Sequence, residues 1–376
     1  MPRGFANRQS LHRHAAGRSP SVCSHYYRAI ARLDAALTGV GESELDLEDA
    51  EEPAGALVIV STLDGGEYEI QVRNGSETGK DLANKVKDGM GLPDDARVQL
   101  FLGDEPIKPN IQLAKQGIVD GTELELAAIV STDKALDNAS IKEAIKRWMR
   151  PATRQSVVDK YGDIGEWNTN QVTDMSELFE YHAEFNEDIS QWDTSNVTNM
   201  KSMFSDAKSF NQPLEGWDVS KVKDMTSMFA HAYSFNQPLE GWDVSSVTNM
   251  ARMFYFAWDF NQPLEGWGKK VGNVKNMKSM FSDAKSFNQP LEGWDVSNVE
   301  DMAAMFFDAR DFNQPLERWG KKVGNVKSMN SMFEYAKFFN QPLEGWNVSS
   351  DTSMKDMFDE AKSFKQFPTW YKGPRA

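Results

Sequence analysis

Two copies of GKKVGNV, at 268–274 and 320–326, set lysines among glycines, the residue types that cradle phosphate groups. Their spacing is not that of a phosphate-binding loop, and no strand of the right type precedes them. Histidine offers little general-base chemistry. His12 and His14 flank Arg13 near the start, while His182 and His231 fall at nearly matched phases of a repeat with no nucleophile nearby. The single cysteine, Cys23, has no partners for a nucleophilic triad, a disulfide or a cysteine-ligated zinc site. The 56 acidic residues are explained more simply by a solvated acidic face than by a paired general acid and base. The residues therefore read as those of a non-enzyme without cofactor or metal.

What remains is charge arranged by period. Asp193, Asp218, Asp243 and Asp295 each follow a tryptophan, and Gly268, Gly320 and Asn347 hold the equivalent places. Carboxylates stacked at a strand spacing of about 4.8 Å repel one another unless something neutralises them. Two readings stand open. The column recognises a basic segment or a divalent cation, or each aspartate hydrogen-bonds the turn that follows it. The two GKKVGNV inserts are expected to protrude on one face, where Lys269, Lys270, Lys321 and Lys322 make a basic spot on an acidic body. Both features are candidate protein-binding residues.

A repeat must position them. Trp167, Trp192, Trp217, Trp242, Trp267, Trp294, Trp319 and Trp346 are separated by 25 residues, or by 27 where an insert intervenes. The string FNQPLEGW recurs verbatim at 210, 235, 260, 287 and 339, with FNQPLERW at 312 and FNEDISQW at 185. A fixed period of this length marks short stacked coils. Within a coil the predicted core is Val197, Met200, Met203, Phe204, Ala207, Phe210, Leu214 and Trp217. Met200–Ala207 has helical or 3₁₀ spacing, and Leu214-x-x-Trp217-x-Val219 reads as a short strand. Asn211 and its equivalents are expected to form a ladder that satisfies backbone groups at a tight corner. Glycine before tryptophan is expected to supply an unusual backbone conformation. The string is structural.

This pattern resembles the BspA-type leucine-rich repeat over residues 167–364. The resemblance implies a solenoid of about eight 25–27-residue coils, with one short parallel strand per coil. Many bacterial members are surface proteins that bind host or partner molecules, which gives the alternative reading of a surface or secreted adhesin-like binding protein.

Ahead of the repeats, composition divides the chain. Residues 1–41 carry six arginines against one acid, Asp34, and residues 42–54 hold seven acids and no base. They read as a disordered basic head and an acidic linker. The head has the Arg- and Ser-rich composition of an organelle transit peptide and lacks the apolar stretch of a secretory signal. A net charge of −15 repels nucleic acid and anionic membrane surfaces, and no apolar run reaches membrane-spanning length. An intracellular, cytoplasmic protein is expected. Residues 138–151, NASIKEAIKRWMRP, predict a capping helix with a Ser140–Glu143 box, an apolar face of Ile141, Ile145 and Trp148, and a stop at Pro151. They fall within an expected linker and cap over 131–166.

Between linker and cap, ALVIVSTL, DGG and EYEIQV predict a hairpin, KDLANKVKDGMGL a helix, and RVQLFLGDEPI and TELELAAIV two further strands. The order and the stretches STLDGG, GLPDDARVQLFLGDEPI and IVDGTELEL resemble a ubiquitin-like β-grasp domain over residues 56–130, which sets an expected domain at 55–130. In that family a hydrophobic patch on the sheet engages partner domains, and the matching positions are Leu63, Leu100 and Ala127. The fold expected is thus α/β, a ubiquitin-like domain followed by a leucine-rich-repeat solenoid. The function expected is a protein-binding scaffold with partners that include ubiquitin-pathway proteins.

Overall fold

The computed structural model describes residues 56–62, 67–72, 77–92, 97–103, 105–107, 112–118, 123–131 and 135–373. The chain divides into two compact units between Asp133 and Lys134.

Among the described residues, the first unit holds a five-stranded sheet, one α-helix and a 3₁₀ turn at Leu113–Gln116. β1 (Ala56–Thr62) pairs antiparallel with β2 (Glu67–Val72) and parallel with β5 (Glu123–Ser131). β3 (Arg97–Leu102) joins β5 to the short β4 (Glu105–Pro106), giving the order β2-β1-β5-β3-β4. Helix α1 (Gly79–Gly89) starts at a Thr78–Asp81 capping box and buries Leu82 and Val86. They meet Val58, Val60, Ile70, Val72, Leu126 and Ala128, the alternate residues of one sheet face. Leu100 belongs to the same cluster. It is 2 % exposed and pairs in register with buried Ala128, so it belongs to the core and not to a contact patch. Alternation turns its neighbour Phe101 outward instead. Leu63 lies outside the described residues.

The second unit opens with α2 (Asn138–Trp148) and α3 (Pro151–Tyr161). The cap of α2 lies three residues earlier than the Ser140–Glu143 box. Asp137 Oδ1 accepts from the Ser140 N–H at 2.7 Å, and Ser140 Oγ accepts from the Asp137 N–H at 2.8 Å. Pro151 ends nothing by itself. It occupies the first turn of α3, where a missing N–H is harmless.

The repeats then stack. Phe204 lies 5.6 Å from Phe229 and Phe210 lies 5.9 Å from Phe235, with rings nearly parallel, so two phenylalanine columns run through the unit. From Trp192 on, each repeat tryptophan donates its indole N–H to the carbonyl of the leucine or isoleucine one coil back, as Trp242 does to Leu214 at 2.9 Å, while Trp167 donates to Gly162. The Asn ladder is present with a second member. Asn211 Oδ1 accepts from the Asn236 N–H at 2.9 Å and from Gln237 Nε2 at 3.0 Å, and this pair recurs in every following coil through Gln341.

The expected strand at Leu214–Val219 is absent. Coils are joined at a different place by single parallel bridges, Asp174 to Asn199 to Asp224 and onward to Ser353. Beyond each bridge the backbone neither coils as a helix nor extends. Met200, Ser202, Phe204 and Asp206 donate their N–H groups to the next coil, while Met203, Ser205 and Ala207 donate within their own coil to the residue three before. That alternation requires left-handed backbone at Ser202 (φ 53°) and Asp206 (φ 59°), and every coil repeats it at the same two places. None of these residues is glycine. Each costs about 1–2 kcal/mol in that region. The loss is offset by four inter-coil hydrogen bonds and by buried Phe and Met side chains contributing about 1.5–3 kcal/mol each. The glycine before tryptophan, expected to be the unusual residue, does not have a positive φ at Gly241, Gly266, Gly293 or Gly345.

Candidate functional site

The aspartate column caps turns. Asp193, Asp218, Asp243 and Asp295 each accept, through Oδ1, the N–H of the serine two residues on, at 3.0, 3.0, 3.1 and 3.3 Å. Ser220 Oγ adds a 2.6 Å bond to Asp218. One oxygen of each carboxylate is thereby committed to its own backbone, and the column breaks at Gly268 and Gly320. A parallel set, missed in the sequence, does the same at the inter-coil bridges, where Asp174, Asn199, Asp224, Asn249, Asn276 and Asp301 accept from the second N–H ahead.

The inserts do not protrude as a four-lysine spot. Each winds as 3₁₀ turns, Glu265–Asn273 and Glu317–Asn325, that bury Val271 and Val323. Lys270 and Lys322 fold back to donate to the carbonyls of Trp242 (3.2 Å) and Trp294 (3.0 Å), completing the coil before. Only Lys269 and Lys321 remain exposed. The reason is local: an insertion beside a buried tryptophan leaves carbonyls that need donors, and lysine supplies them.

The surface that stands out lies elsewhere. Around the core alanine of the motif MFxxAxx, two coils carry Ser, Asp and Lys, as MFSDAKS at 203 and 280, and the others vary these places. Two consecutive coils replace them with aromatics, MFAHAYS and MFYFAWD. Tyr233 stacks on Trp258 at 4.1 Å with planes 10° apart. Lys208 lies over the outer face of Tyr233 at 5.6 Å and Lys285 over that of Trp258 at 4.6 Å. Four successive coils thus contribute one Lys–Tyr–Trp–Lys stack, an arrangement in which ring faces attract the flanking charges. Beside it His231 stacks on Phe256 at 4.9 Å, and Tyr255 meets both edge-on with Arg252 over its ring at 5.9 Å. Trp258 is 37 % exposed. The sequence signal was there, in two adjacent repeats that lose Ser and Lys together, but the repeat core claimed the tryptophans.

The neighbouring coils carry charge at the same places. Burial first, then the Asp308 carboxylate one coil on, pushes the Asp283 carboxyl up to about 6. Asp308 is held by Arg310 in a two-point bond at 2.9 and 3.0 Å, which raises the guanidinium pKa further. His182 takes the alanine place of the first coil, and burial lowers its pKa. Cys23, His12 and His14 lie outside the described residues. Among the described residues no group of three or more His, Cys, Asp or Glu is placed to hold a metal ion, and no helix is long and apolar enough to cross a membrane.

A family described as "Mycoplasma protein of unknown function, DUF285" matches residues 147–267 and 268–370, together more than half of the chain. No curated protein matches it.

Proposed function

The chain belongs to the DUF285 family, and from that premise and the aromatic surface we propose that it is a non-catalytic protein-binding scaffold. In this reading the repeats form a solenoid of the BspA-like leucine-rich type and the first unit is a ubiquitin-like docking domain. The stacked coils support the first element and the β2-β1-β5-β3-β4 sheet with its single helix supports the second.

The observation that carries the proposal is the Lys208–Tyr233–Trp258–Lys285 stack with its flanking rings. Inter-coil stability is supplied by buried phenylalanines, tryptophans and backbone ladders that all coils share. These aromatics stand outside that set, at places where the two MFSDAKS coils carry serine, aspartate and lysine. Partly exposed, laterally supported aromatic side chains with small loss of rotamer freedom are the residue types that anchor protein interfaces. Lysines and Arg252 at the edge favour a partner surface with carboxylates beside an apolar anchor.

The test is affinity capture with the full chain and with a Tyr233→Ala/Trp258→Ala variant, with melting temperatures measured on the same samples. Partners retained by the native chain and lost by a variant of equal melting temperature support the surface. Identical captured proteins would remove it.

A further inference from the structure

The first repeat coil is covered on only part of its leading edge. Asn138 of α2 stands where a preceding coil would be, its Oδ1 accepting the N–H groups of Thr173 (2.8 Å) and Asp174 (3.1 Å). One coil later that service to Thr198 comes from the Thr173 carbonyl. Farther along the edge no described residue donates a backbone N–H in the place of a coil. Asn199, Lys201, Met203 and Ser205 each accept an N–H from the coil before. Their equivalents in the first coil, the carbonyls of Asp174, Ser176, Leu178 and Glu180, receive no backbone hydrogen bond from any described residue.

Ser176 and Leu178 line a groove of about 450 Å³ whose opposite wall belongs to α2. Ile145 and Met149 supply apolar surface there, and Lys142, Lys146 and Arg150 supply charge. The three cations follow one another at four-residue steps, so they share one side of the helix and its end. Lys142 lies 3.9 Å from Asp174, whereas Lys146 and Arg150 have no ion-pair partner among the described residues. Glu177 is the only carboxylate in the lining. On a chain of net charge −15 this is a local reversal of sign.

We propose that this groove binds an extended, acidic segment of a partner protein, which adds itself as one more rung ahead of the first coil. A row of carbonyls accepts and cannot donate, so its occupant must bring N–H groups. A phosphate or a free carboxylate brings none, and a helix has already used its own. An extended segment presents one N–H on each side at every second residue, the same two-residue period as Asp174, Ser176, Leu178 and Glu180. Its acidic side chains reach Lys146 and Arg150 in charge-assisted bonds, and apolar ones rest on Ile145, Met149 and Leu178. The groove is separate from the aromatic stack and does not rest on the reading given to it.

The probe is a fluorescein-labelled eight-residue peptide alternating leucine and glutamate, titrated with the full chain and followed by anisotropy. A leucine–lysine peptide of equal length is the charge control. Two further probes carry N-methyl groups on one or the other alternate set of amides. The expected result is binding of the leucine–glutamate peptide, at least tenfold weakened by Lys146→Glu/Arg150→Glu with melting temperature preserved. One N-methylated probe binds as the parent does and the other fails. The N-methyl comparison needs no variant, so it stands even if the charge reversal disturbs folding. Equal binding of both N-methylated probes, binding of the lysine control, or full displacement by inorganic phosphate would each overturn the proposal. The Tyr233→Ala/Trp258→Ala variant should bind the peptide unchanged.

Discussion

Trp242 separates two contributions that the repeat usually delivers together. Its side chain is 1 % exposed, and its indole Nε1 donates to the Leu214 carbonyl at 2.9 Å. Trp242→Ala removes the ring and the donor, and is expected to cost about 3–5 kcal/mol. Trp242→Phe keeps most of the apolar volume but leaves the Leu214 carbonyl with the Trp217 N–H as its one remaining donor, a loss of about 0.5–1.5 kcal/mol. The phenylalanine variant should therefore fall between the native chain and the alanine variant. Urea unfolding followed by far-ultraviolet circular dichroism gives the ordering. Amide hydrogen exchange gives the reach. Because coils touch only their neighbours, protection should fall in the coils holding Leu214, Trp242 and Trp267 and persist near Trp319 and Trp346. Equal destabilisation by Phe and Ala would show that the retained ring volume contributes nothing, and a phenylalanine variant as stable as the native chain would show the same of the hydrogen bond. A uniform loss of protection would refute the nearest-neighbour argument itself.

Three further outcomes follow from the same geometry. Ala304 sits at φ 55°, so Ala304→Gly should raise the thermal midpoint, by about 1 kcal/mol in stability, against the usual sign for glycine; a fall would count against the left-handed backbone. The Asp283 carboxyl, raised to about 6, favours its protonated form in the fold, so its contribution is undiminished below the ordinary carboxylate range and is lost as pH climbs from about 4 to 6. Asp283→Asn should then stabilise the chain by up to about 3 kcal/mol at pH 7 and by nothing near pH 4, and a pH-independent difference in denaturation midpoint would refute it. Asp243→Asn keeps the acceptor for the Ser245 N–H and should be nearly neutral, whereas Asp243→Ala should lower stability by about 1 kcal/mol; a larger loss for Asn than for Ala would overturn the turn-capping role.

Much of the fold was legible because it is written in side-chain periodicity. The tryptophan spacing marked the coils, and alternation along EYEIQV marked β2 and its buried Ile70 and Val72. Failures came where backbone geometry rather than side-chain burial decides. Ser202, Phe256 and Ala304 share no chemistry that announces left-handed backbone, and they adopt it because stacked coils hold both neighbours in place. Leu100 was carried over from the ubiquitin-like resemblance, and a one-residue difference in register along a strand exchanges the buried face for the exposed one. Lys270 and Lys322 look like solvated charges in sequence, and only the position of the Trp242 and Trp294 carbonyls shows that they are structural donors.

The same distinction separates the parts of a coil that can serve recognition from those that cannot. In FNQPLEGW the phenylalanine, leucine and tryptophan are buried, the Asn oxygen and Gln amide are spent on the adjoining coil, and the indole donor is spent on the coil before. Any change there is felt as lost stability, which is why the most conspicuous string in the sequence is the least available to a partner. Around the core alanine the opposite holds. The ladder from Tyr255 to Ala257 uses backbone N–H groups alone, so the bonds between coils do not depend on the side chains of Tyr255 and Phe256, and other residues that tolerate the local φ can stand there. Coils with SDAKS and coils with YFAWD hold together by the same bonds. Recognition in this architecture therefore has to be read from what departs from the repeat, and Tyr233, Tyr255, Phe256 and Trp258 are where this chain departs from it most.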